Sequence, residues 1–252
     1  PIEYKYDPRS VAIGDLNNDT CPDMVVANAA VNNIAVYFGH CDGTFSNRTL
    51  YPTGPHSTPQ KVAIDDFNND TRLDIAVANF GANNIGIFFG LGDGSFGRQT
   101  SLSTASSRPV FILAADLDND TLVDLVTADV GTDSISIFYG HGNGSFLAPR
   151  KYWTGYDSSP RSVAHGDVDN DGYLDLVIAH YGSDSIGILV GNAEHSFEEK
   201  IIVQLCPSCR PYSVTVGYFD DDKFLDIAVA NYGNRTIVVL RNNGAGSFHD
   251  IN

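Results

Sequence analysis

A segment rich in aspartate and asparagine recurs five times in this chain, at intervals of 50 or 51 residues. The copies are DLNNDTCPD (15–23), DFNNDTRLD (66–74), DLDNDTLVD (116–124), DVDNDGYLD (167–175) and the degenerate YFDDDKFLD (218–226). The flanking segments keep the same phase, since each copy follows a stretch such as PRSVAIGD and precedes one such as ANFGANNI. Self-similarity at a fixed period of this length indicates a repeat architecture.

Each repeat contains four short apolar segments that are separated by turns. In the first copy strand a is predicted at 11–13, strand b at 23–27 and strand c at 34–38, and strand d begins near Phe45. The segments are rich in Val, Ile, Phe and Tyr and are bounded by Gly, Asn and Asp, which is typical of strands and tight turns. No segment shows a sustained helical period. Their nearly continuous apolar character predicts sheets that are buried on both faces.

Four strands in about 50 residues is the spacing of a propeller blade. We therefore predict an all-β fold, a five-bladed β-propeller with four antiparallel strands per blade, which forms a single domain over residues 1–252. The N-terminal segment IEYKYDPRS is in phase with the end of the last repeat. We expect it to supply a strand that closes the last blade, because an open array would leave sheet edges exposed.

The four cysteines suggest two disulfides. If strands b and c of the first repeat form a hairpin around residues 29–32, Cys21 and Cys41 face each other across it, within bonding reach. Cys206 and Cys209 lie in a CPSC segment. They could close a small loop or form a redox-type pair, and the proline-containing loop context favours the structural bridge.

The recurring loop places oxygen donors at its positions 1, 3, 5 and 9, and position 7 can offer a backbone carbonyl. Such a set suits Ca²⁺, which takes about 6–8 oxygen ligands in a flexible shell. Mg²⁺ demands a stricter octahedron, and softer metals prefer His or Cys side chains. We predict four Ca²⁺ sites at Asp15, Asn17, Asp19, Cys21 and Asp23; at Asp66, Asn68, Asp70, Arg72 and Asp74; at Asp116, Asp118, Asp120, Leu122 and Asp124; and at Asp167, Asp169, Asp171, Tyr173 and Asp175.

The fifth loop departs from this pattern, because Tyr218 stands at position 1. It retains Asp220, Asp222 and Asp226, so a weaker fifth site stays open. The loops lack the distal glutamate of an EF-hand and lead into a strand rather than a helix. Ions bound in these loops would stabilise the blades.

These loops, together with turn motifs such as Phe38-Gly39 and Phe89-Gly90, resemble the FG-GAP/VCBS repeats found in the propeller of integrin α subunits. The resemblance covers essentially the whole chain. It implies calcium-stabilised blades in an extracellular protein, with adhesion or ligand recognition as the usual role. A fungal lectin family with similar repeats binds sugars between blades, which keeps glycan recognition as an alternative.

The formal net charge of −16 disfavours nucleic acids and anionic membranes as partners. No apolar run is long enough for a membrane helix, so we expect no membrane insertion by this domain. We expect a monomer that is secreted or held at the cell surface, with its leader absent from this sequence. Sequons for N-glycosylation support that compartment and occur at Asn18, Asn47, Asn69, Asn119, Asn143 and Asn234.

A partner surface is predicted on the side of the blades that carries the d–a and b–c connections. This side collects arginines and aromatic residues, which are enriched where proteins bind partners. The candidates are Arg9, Arg108, Arg161, Arg210, Phe80, Tyr181 and Tyr232. The same arginines could instead be solvated or tie neighbouring blades together. A second candidate is the clefts between blades, where Tyr152, Trp153 and Tyr156 could stack on sugars or simply pack strand d.

From the sequence, we expect that the protein is not an enzyme. The seven histidines form no metal-ligand motif, and neither a nucleophile elbow nor a phosphate-binding glycine loop is present. Nearly every repeated aspartate is assigned to a calcium loop, which leaves Asp65, Asp129 and Asp133 as spare acids without a distinguishing context. The function predicted from the sequence is therefore an extracellular, calcium-stabilised adhesion module for a protein partner, with a lectin as the alternative.

Overall fold

The computed structural model describes residues 5–194, 196–244 and 246–250, and its architecture is all-β. The chain divides into two compact units. One unit runs up to Thr127 and includes Ser136–Arg150, and the other comprises Ala128–Ile135 and continues from Lys151. In the described residues the one helical element is a 3₁₀ turn at Ala29–Val31, and no helix is long and apolar enough to cross a membrane.

Twenty strands form five four-stranded sheets, each in sequence order from its first strand to its fourth. The first sheet contains β1 (Pro8–Gly14), β2 (Asp23–Asn28), β3 (Asn33–Tyr37) and β4 (Thr49–Pro52). The second contains β5 (Pro59–Asp65), β6 (Asp74–Asn79), β7 (Asn84–Phe88) and β8 (Thr100–Ser103). The third contains β9 (Pro109–Ala115), β10 (Asp124–Asp129), β11 (Ser134–Phe138) and β12 (Arg150–Trp153). The fourth contains β13 (Pro160–Gly166), β14 (Asp175–His180), β15 (Ser185–Gly191) and β16 (Phe197–Gln204). The fifth contains β17 (Pro211–Gly217), β18 (Asp226–Asn231), β19 (Thr236–Asn242) and β20 (Phe248–Asp250).

The second strands of the middle sheets are buried along their whole length, as in β6, β10 and β14. Both faces of these strands are therefore covered, as their apolar sequences predict. In the first unit a core joins the first two sheets through side chains such as Val25, Ile34 and Val77. In the second unit the corresponding core joins the fourth and fifth sheets. The prediction of a repeated four-stranded sheet is confirmed.

The registers explain why the repeats keep their phase and why the first two cysteines meet. In the first sheet Met24 pairs with Tyr37 and Val25 with Val36. This pairing brings Cys21 and Cys41 into a disulfide with a Cα–Cα distance of 5.0 Å, as the hairpin argument predicts. Cys206 and Cys209 also form a disulfide, so the predicted bond within the CPSC segment is present.

The fourth strands differ from the sequence prediction. Phe45 forms only an isolated bridge to Gly39, and β4 begins four residues later at Thr49. In the fifth sheet the fourth strand is β20, which belongs to the C-terminal segment. Residues 1–4, to which the closing-strand prediction also refers, lie outside the described residues. Lys5, Tyr6 and Asp7 belong to no strand, so a closing N-terminal strand is not seen in the described chain.

The b–c turn of each of the first four repeats is tied to the following d–a connection by one residue in the left-handed region. These residues are Asn32, Asn83, Asp133 and Asp184, with φ between 46° and 54°. Asn and Asp tolerate this conformation, and their side chains accept hydrogen bonds from nearby backbone N–H groups. Asp184, for example, accepts the N–H groups of Ser208 (2.8 Å) and Arg210 (2.7 Å). The d–a and b–c connections therefore lie together.

A polar residue ends each second strand and is buried there. Asn28, Asn79 and Asn231 donate their amide N–H to the side chain five residues further on, at 2.9–3.3 Å. In the fourth sheet this position is His180, whose Nδ1 lies 3.3 Å from Ser185 Oγ. Burial lowers the pKa of His180 to about 4, and the Asp133 carboxylate opposes that shift only in part. The fold therefore holds this imidazole in its neutral form.

We predict that His180 makes the fold sensitive to acid and that His180→Asn removes this sensitivity. An unfolded histidine has a pKa of about 6.5. Between about pH 6.5 and 4 the unfolded chain therefore binds a proton that the folded chain does not, and stability is lost as the pH falls through this window. The loss amounts to about 3 kcal/mol. Urea unfolding of wild type and variant at pH 7 and pH 4.5 measures it.

The variant carries asparagine, which three other repeats have at this position, so it should fold normally. His141 is exposed, and His141→Asn serves as the control that leaves the pH dependence unchanged. If wild type and His180→Asn lose the same free energy of unfolding between the two pH values, His180 is not the source of the acid sensitivity.

Candidate metal loops and recognition surfaces

The aspartate at loop position 9 is the structural centre of each repeated loop. Asp23 accepts the backbone N–H of Leu16 and of Gly39, both at 2.8 Å, and so connects the a–b loop to the c–d turn. The equivalent residues Asp74, Asp124, Asp175 and Asp226 make the same two bonds at 2.7–3.1 Å. All five are almost completely buried.

The carboxylates at positions 1 and 5 fold the loop around themselves. Asp15 accepts the N–H of Asp19 (3.1 Å) and of Thr20 (2.8 Å), and Asp19 accepts the N–H of Cys21 (2.8 Å). Positions 4 and 6 have positive φ in the first four loops. The sequon residues Asn18, Asn69 and Asn119 occupy position 4 and are exposed.

The acidic side chains converge most clearly in the third and fourth loops. One carboxylate oxygen from each of Asp116, Asp118 and Asp120 lies within 4.8 Å of the others. Asp167, Asp169 and Asp175 do the same in the fourth loop. Carboxylate oxygens gathered in this way are the donors that a hard divalent cation prefers.

The convergence has an electrostatic cost. Burial raises the pKa of Asp124 to about 7, and the carboxylates of Asp118 and Asp120 add to the shift, against the two backbone hydrogen bonds that lower it. Burial together with the neighbouring loop carboxylates also raises the pKa of Asp74 and of Asp175 to about 6. A cation in the loop would stabilise the charged carboxylates and relieve this repulsion. The residues present therefore fit Ca²⁺.

An arginine contacts the acidic group of two loops. In the second loop the guanidinium of Arg72 is paired with Asp70, and its Nε also donates to Gly90 O at 3.0 Å. In the fifth loop Arg241 Nε lies 3.2 Å from Asp220 Oδ2. The fifth loop also has one carboxylate fewer, because Tyr218 occupies position 1. The Arg241 guanidinium supplies positive charge to the carboxylates that remain.

The c–d turn of the fifth repeat is altered as well. Gly39, Gly90, Gly140 and Gly191 occupy one turn position in the other repeats, where an added Cβ would collide with a backbone carbonyl. The fifth repeat carries Asn242 there, and its Nδ2 donates to Leu225 O (3.0 Å) and to Val168 O (2.6 Å). In the other repeats a side chain at this position would collide with a carbonyl, whereas in the fifth repeat the Asn242 side chain donates hydrogen bonds to two carbonyls.

The structure brings four of the predicted partner residues together in the second unit. Arg161 lies over the ring of Tyr181 at 5.2 Å, and Arg210 lies over the same ring at 5.8 Å. Tyr232 is 6.3 Å from Tyr181 between ring centroids. Tyr212, which the sequence argument missed, lies within 6.3 Å of both tyrosine rings. Tyr212 occupies the position in strand a that Arg161 occupies in the preceding repeat. This equivalence was the sequence signal that could have identified Tyr212 as a candidate.

The other predicted partner residues do not belong to this group. Arg9 forms an exposed ion pair with Asp7 at 2.7 Å. Arg108 lies 4.8 Å over the ring of Phe80 in the first unit. These two arginines each have a local partner, as the alternative of solvated or tied arginines allows.

Clefts lie between neighbouring sheets within each unit. In the first unit a cleft of about 480 Å³ is lined by Tyr51, Phe88, Phe96 and Gln99 among others. In the second unit a cleft of about 400 Å³ adjoins the Cys206–Cys209 disulfide. Tyr152 packs edge-on against Phe197 at 5.8 Å and is structural. Trp153 and Tyr156 contact each other at 5.0 Å and are 54% and 87% exposed.

The spare acids have structural surroundings. Asp65 caps the N–H of Asp66 at 2.9 Å, and Asp129 is buried at the end of β10. Asp133 accepts the N–H groups of Asp157 (3.1 Å) and Ser159 (2.8 Å).

Comparison with known proteins identifies the repeat. A family model of the FG-GAP-like repeat matches four times, at residues 15–77, 66–127, 116–178 and 167–229. Each match extends from one acidic loop to just beyond the next. No curated protein matches the chain by sequence.

Several solved structures share the fold at low identity. A lectin of Agrocybe aegerita that specifically recognises non-reducing terminal N-acetylglucosamine matches with a TM-score of 0.64 and 17% identity, over 95% of this chain and 64% of its own. The chain thus spans just under two thirds of that lectin. The periplasmic gluconolactonase of Pseudomonas aeruginosa matches with a TM-score of 0.72 and 14% identity, over 97% of this chain and 69% of its own. Virginiamycin B lyase of Staphylococcus aureus matches with a TM-score of 0.54 and 14% identity, over 99% and 85%.

These similarities establish a repeat β-propeller fold. They also contradict the prediction that the chain is not an enzyme, because a gluconolactonase and a lyase share the fold. That prediction relied on missing catalytic motifs that belong to other folds. A propeller can build a catalytic site from loops of different blades, which leaves no short motif in the sequence.

We predict that the buried aspartate at position 9 stabilises its repeat even without metal. Asp74→Ala leaves the N–H groups of Phe67 and Gly90 without their acceptor and should lower the free energy of unfolding by about 2–4 kcal/mol. Asp93→Ala, which removes an exposed turn acceptor for Ser95, should cost about 1 kcal/mol or less. Urea unfolding in chelator measures both, and equal losses would show that the buried contacts carry no special weight.

Proposed function

Because the chain belongs to the FG-GAP-like repeat family, we propose that it is an extracellular, calcium-stabilised binding module that recognises a protein partner. The convergence of loop carboxylates around a buried aspartate carries the calcium part of this proposal. The grouping of arginines and tyrosines in the second unit carries the recognition part. We further propose that the five sheets are the blades of one ring, as the repeat count predicts.

Calcium would be held by the side chains at positions 1, 3, 5 and 9 of the first four loops. Asp15, Asn17, Asp19 and Asp23 represent this set in the first loop, and Cys21 would contribute its backbone carbonyl. The ion supplies positive charge where burial and repulsion raise aspartate pKa values. The protein in turn supplies a loop whose backbone N–H groups already orient the carboxylates.

The stabilisation expected from these ions is comparable with the whole net stability of a domain. At about 1 mM free calcium, a site with a Kd of about 0.1 mM contributes roughly 1.4 kcal/mol. Four such sites contribute about 6 kcal/mol, against about 5–15 kcal/mol for a whole domain. Calcium is therefore proposed as a structural ion.

An extracellular location is compatible with both disulfides, since such bonds persist in oxidising compartments. Millimolar calcium, which weak loop sites need, is also found outside cells. The exposed position of the sequon residues Asn18, Asn69 and Asn119 would leave them accessible for glycosylation.

Glycan recognition is the second candidate function. The exposed pair of Trp153 and Tyr156 favours it, because aromatic faces open to solvent can stack on sugar rings. The cleft beside Tyr51 offers a second position, with Gln99 and Arg98 among its polar groups. The lectin of similar fold supports this candidate at the level of architecture.

We predict that calcium raises the melting temperature by roughly 10–20 °C, since each kcal/mol shifts a chain of this size by a few degrees. Differential scanning calorimetry in 1 mM calcium and in chelator measures the shift. Isothermal titration should show four ions per chain. Equal melting temperatures in the two conditions, with no measurable binding, would refute the proposal.

The fifth loop provides an internal control for this stoichiometry. Tyr218→Asp with Arg241→Val restores the position 1 carboxylate and introduces the residue of the fourth repeat at the turn position, Val190. This variant should bind one more ion than wild type. Replacing Asp116, Asp118 and Asp120 by Asn should remove one.

For the glycan candidate, we predict that binding on a neutral glycan array is lost in Trp153→Ala and in Tyr156→Ala. Each lost stacking contact should weaken binding about 10-fold. Tyr152→Phe, which keeps the packing on Phe197, is the matched control and should bind normally. If both alanine variants still bind glycans, the cleft at Tyr51 becomes the candidate site. If the wild type binds no glycan in calcium, the candidate function is refuted.

A further inference from the structure

Five side chains of the second unit form one group, here called the arginine–tyrosine cluster: Arg161, Tyr181, Arg210, Tyr212 and Tyr232. The three ring centroids lie 6.1–6.3 Å apart from each other. Both guanidinium groups lie over Tyr181, and Arg161 is also 6.0 Å from the ring of Tyr212. Tyr212 and Tyr232 are 49% and 66% exposed. The cluster thus presents aromatic surface and two positive charges together.

The charges of this cluster have no carboxylate partner in the described part of the chain. The ion pairs found there involve Arg9, Arg72 and Arg241, and neither Arg161 nor Arg210 is among them. The two carboxylate oxygens of Asp184, three residues beyond Tyr181, accept the backbone N–H groups of Ser208 and Arg210. Arg161 Nε is buried without a hydrogen-bond acceptor. In a chain of net charge −16, two arginines over one ring bring local positive charge to this surface.

A guanidinium that stacks on an aromatic ring is held by its face and keeps its N–H edge for another group. That edge matches a carboxylate, which can accept two parallel hydrogen bonds. The geometry therefore favours an anionic ligand group at Arg161 and Arg210.

The rings indicate what accompanies that anionic group. Their planes are inclined by 79°, 44° and 39° to one another, so they form no single flat face. A sugar ring stacks on one flat face, whereas a peptide side chain can pack among three inclined rings. The net charge of −16 repels an extended polyanion, so a ligand with one or two carboxylates fits better than a highly charged polymer.

The cluster is fixed by its backbone before any ligand binds. The N–H of Tyr232 donates to Arg210 O (3.0 Å), and the N–H of Gly233 donates to Cys209 O (2.8 Å). The Cys206–Cys209 disulfide closes the loop that carries Arg210. A preorganised surface loses less entropy on binding, and tyrosine and arginine dominate the energetics of protein interfaces.

We propose that the arginine–tyrosine cluster binds a short acidic peptide segment of the partner, in which one or two Asp or Glu residues adjoin an apolar residue. The carboxylate pairs with Arg161 and Arg210, and the apolar side chain packs among the three tyrosine rings. This inference rests on the proposed function as a binding module, and it names the chemistry of the partner.

The test uses the full chain in 1 mM calcium on an array of random 12-residue peptides. We expect the bound peptides to be enriched in Asp or Glu next to an apolar residue. Arg161→Gln and Arg210→Gln should weaken the best peptide by about 10- to 100-fold, and 0.5 M salt should weaken it further. Tyr232→Ala should weaken it without changing the dependence on salt. Arg48→Gln removes an arginine that stacks on Tyr6 elsewhere, and should bind as wild type does.

Melting temperatures in calcium show whether each variant folds, and a variant that melts early is replaced by the lysine substitution at the same position. Bound peptides without acidic enrichment, or equal binding by wild type and both arginine variants, would overturn the inference. Binding to sialylated or sulfated glycans that both arginine variants lose would assign the cluster to acidic sugars and also overturn it. The calcium-dependent melting is read separately, so failure of the proposed calcium role is distinguishable from failure of this inference.

Discussion

The buried aspartate at position 9 holds each repeat together, since its two carboxylate oxygens accept hydrogen bonds from the acidic loop and from the c–d turn. Asp124 shows the balance of forces: burial and neighbouring carboxylates raise its pKa, while the N–H groups of Leu117 and Gly140 stabilise its charge. Removing a charge from water is costly unless hydrogen bonds or ions compensate it. The loop must therefore stay folded around the aspartate, and the position of strand b, which begins at this residue, follows from it.

Much of this architecture could be predicted from the repeat, because five copies in phase show which features are structural. The register of β2 and β3 followed from the hairpin turn, and so did the Cys21–Cys41 bond. The fourth strands were harder to predict. Phe45 is an apolar residue that reads as a strand start, yet it pairs only with Gly39 across the turn, and the strand needs further residues to reach β3. Strand d pairs on one side only, so its sequence is less constrained.

The loops show how repeats diverge while their electrostatics is preserved. Where Tyr218 replaces an acid, Arg241 occupies the position of Phe38 in the first repeat and contacts Asp220, so a fixed positive group is supplied by the chain itself. Such an exchange is invisible in the loop sequence alone, because Arg241 lies 15 residues beyond Asp226. Tyr212 was missed for a related reason. It occupies a strand position that carries Gln60 or Val110 in other repeats, and only the fold brings it beside Tyr181 and Tyr232.

Specific recognition requires features that the repeats do not share. Surfaces built from identical positions would offer the same weak contact several times, whereas the arginine–tyrosine cluster combines different residues of the fourth and fifth repeats. Its residues come from β13, β17 and the connections around β14, β17 and β18, and the backbone positions that carry them are fixed by the common scaffold. The shared aspartates thus set the geometry of the blades, and the variable side chains at the connections decide what a blade can bind. Stability and specificity are therefore separated along each repeat, since the acidic loop lies at one end of strand b and the cluster residues lie at the other.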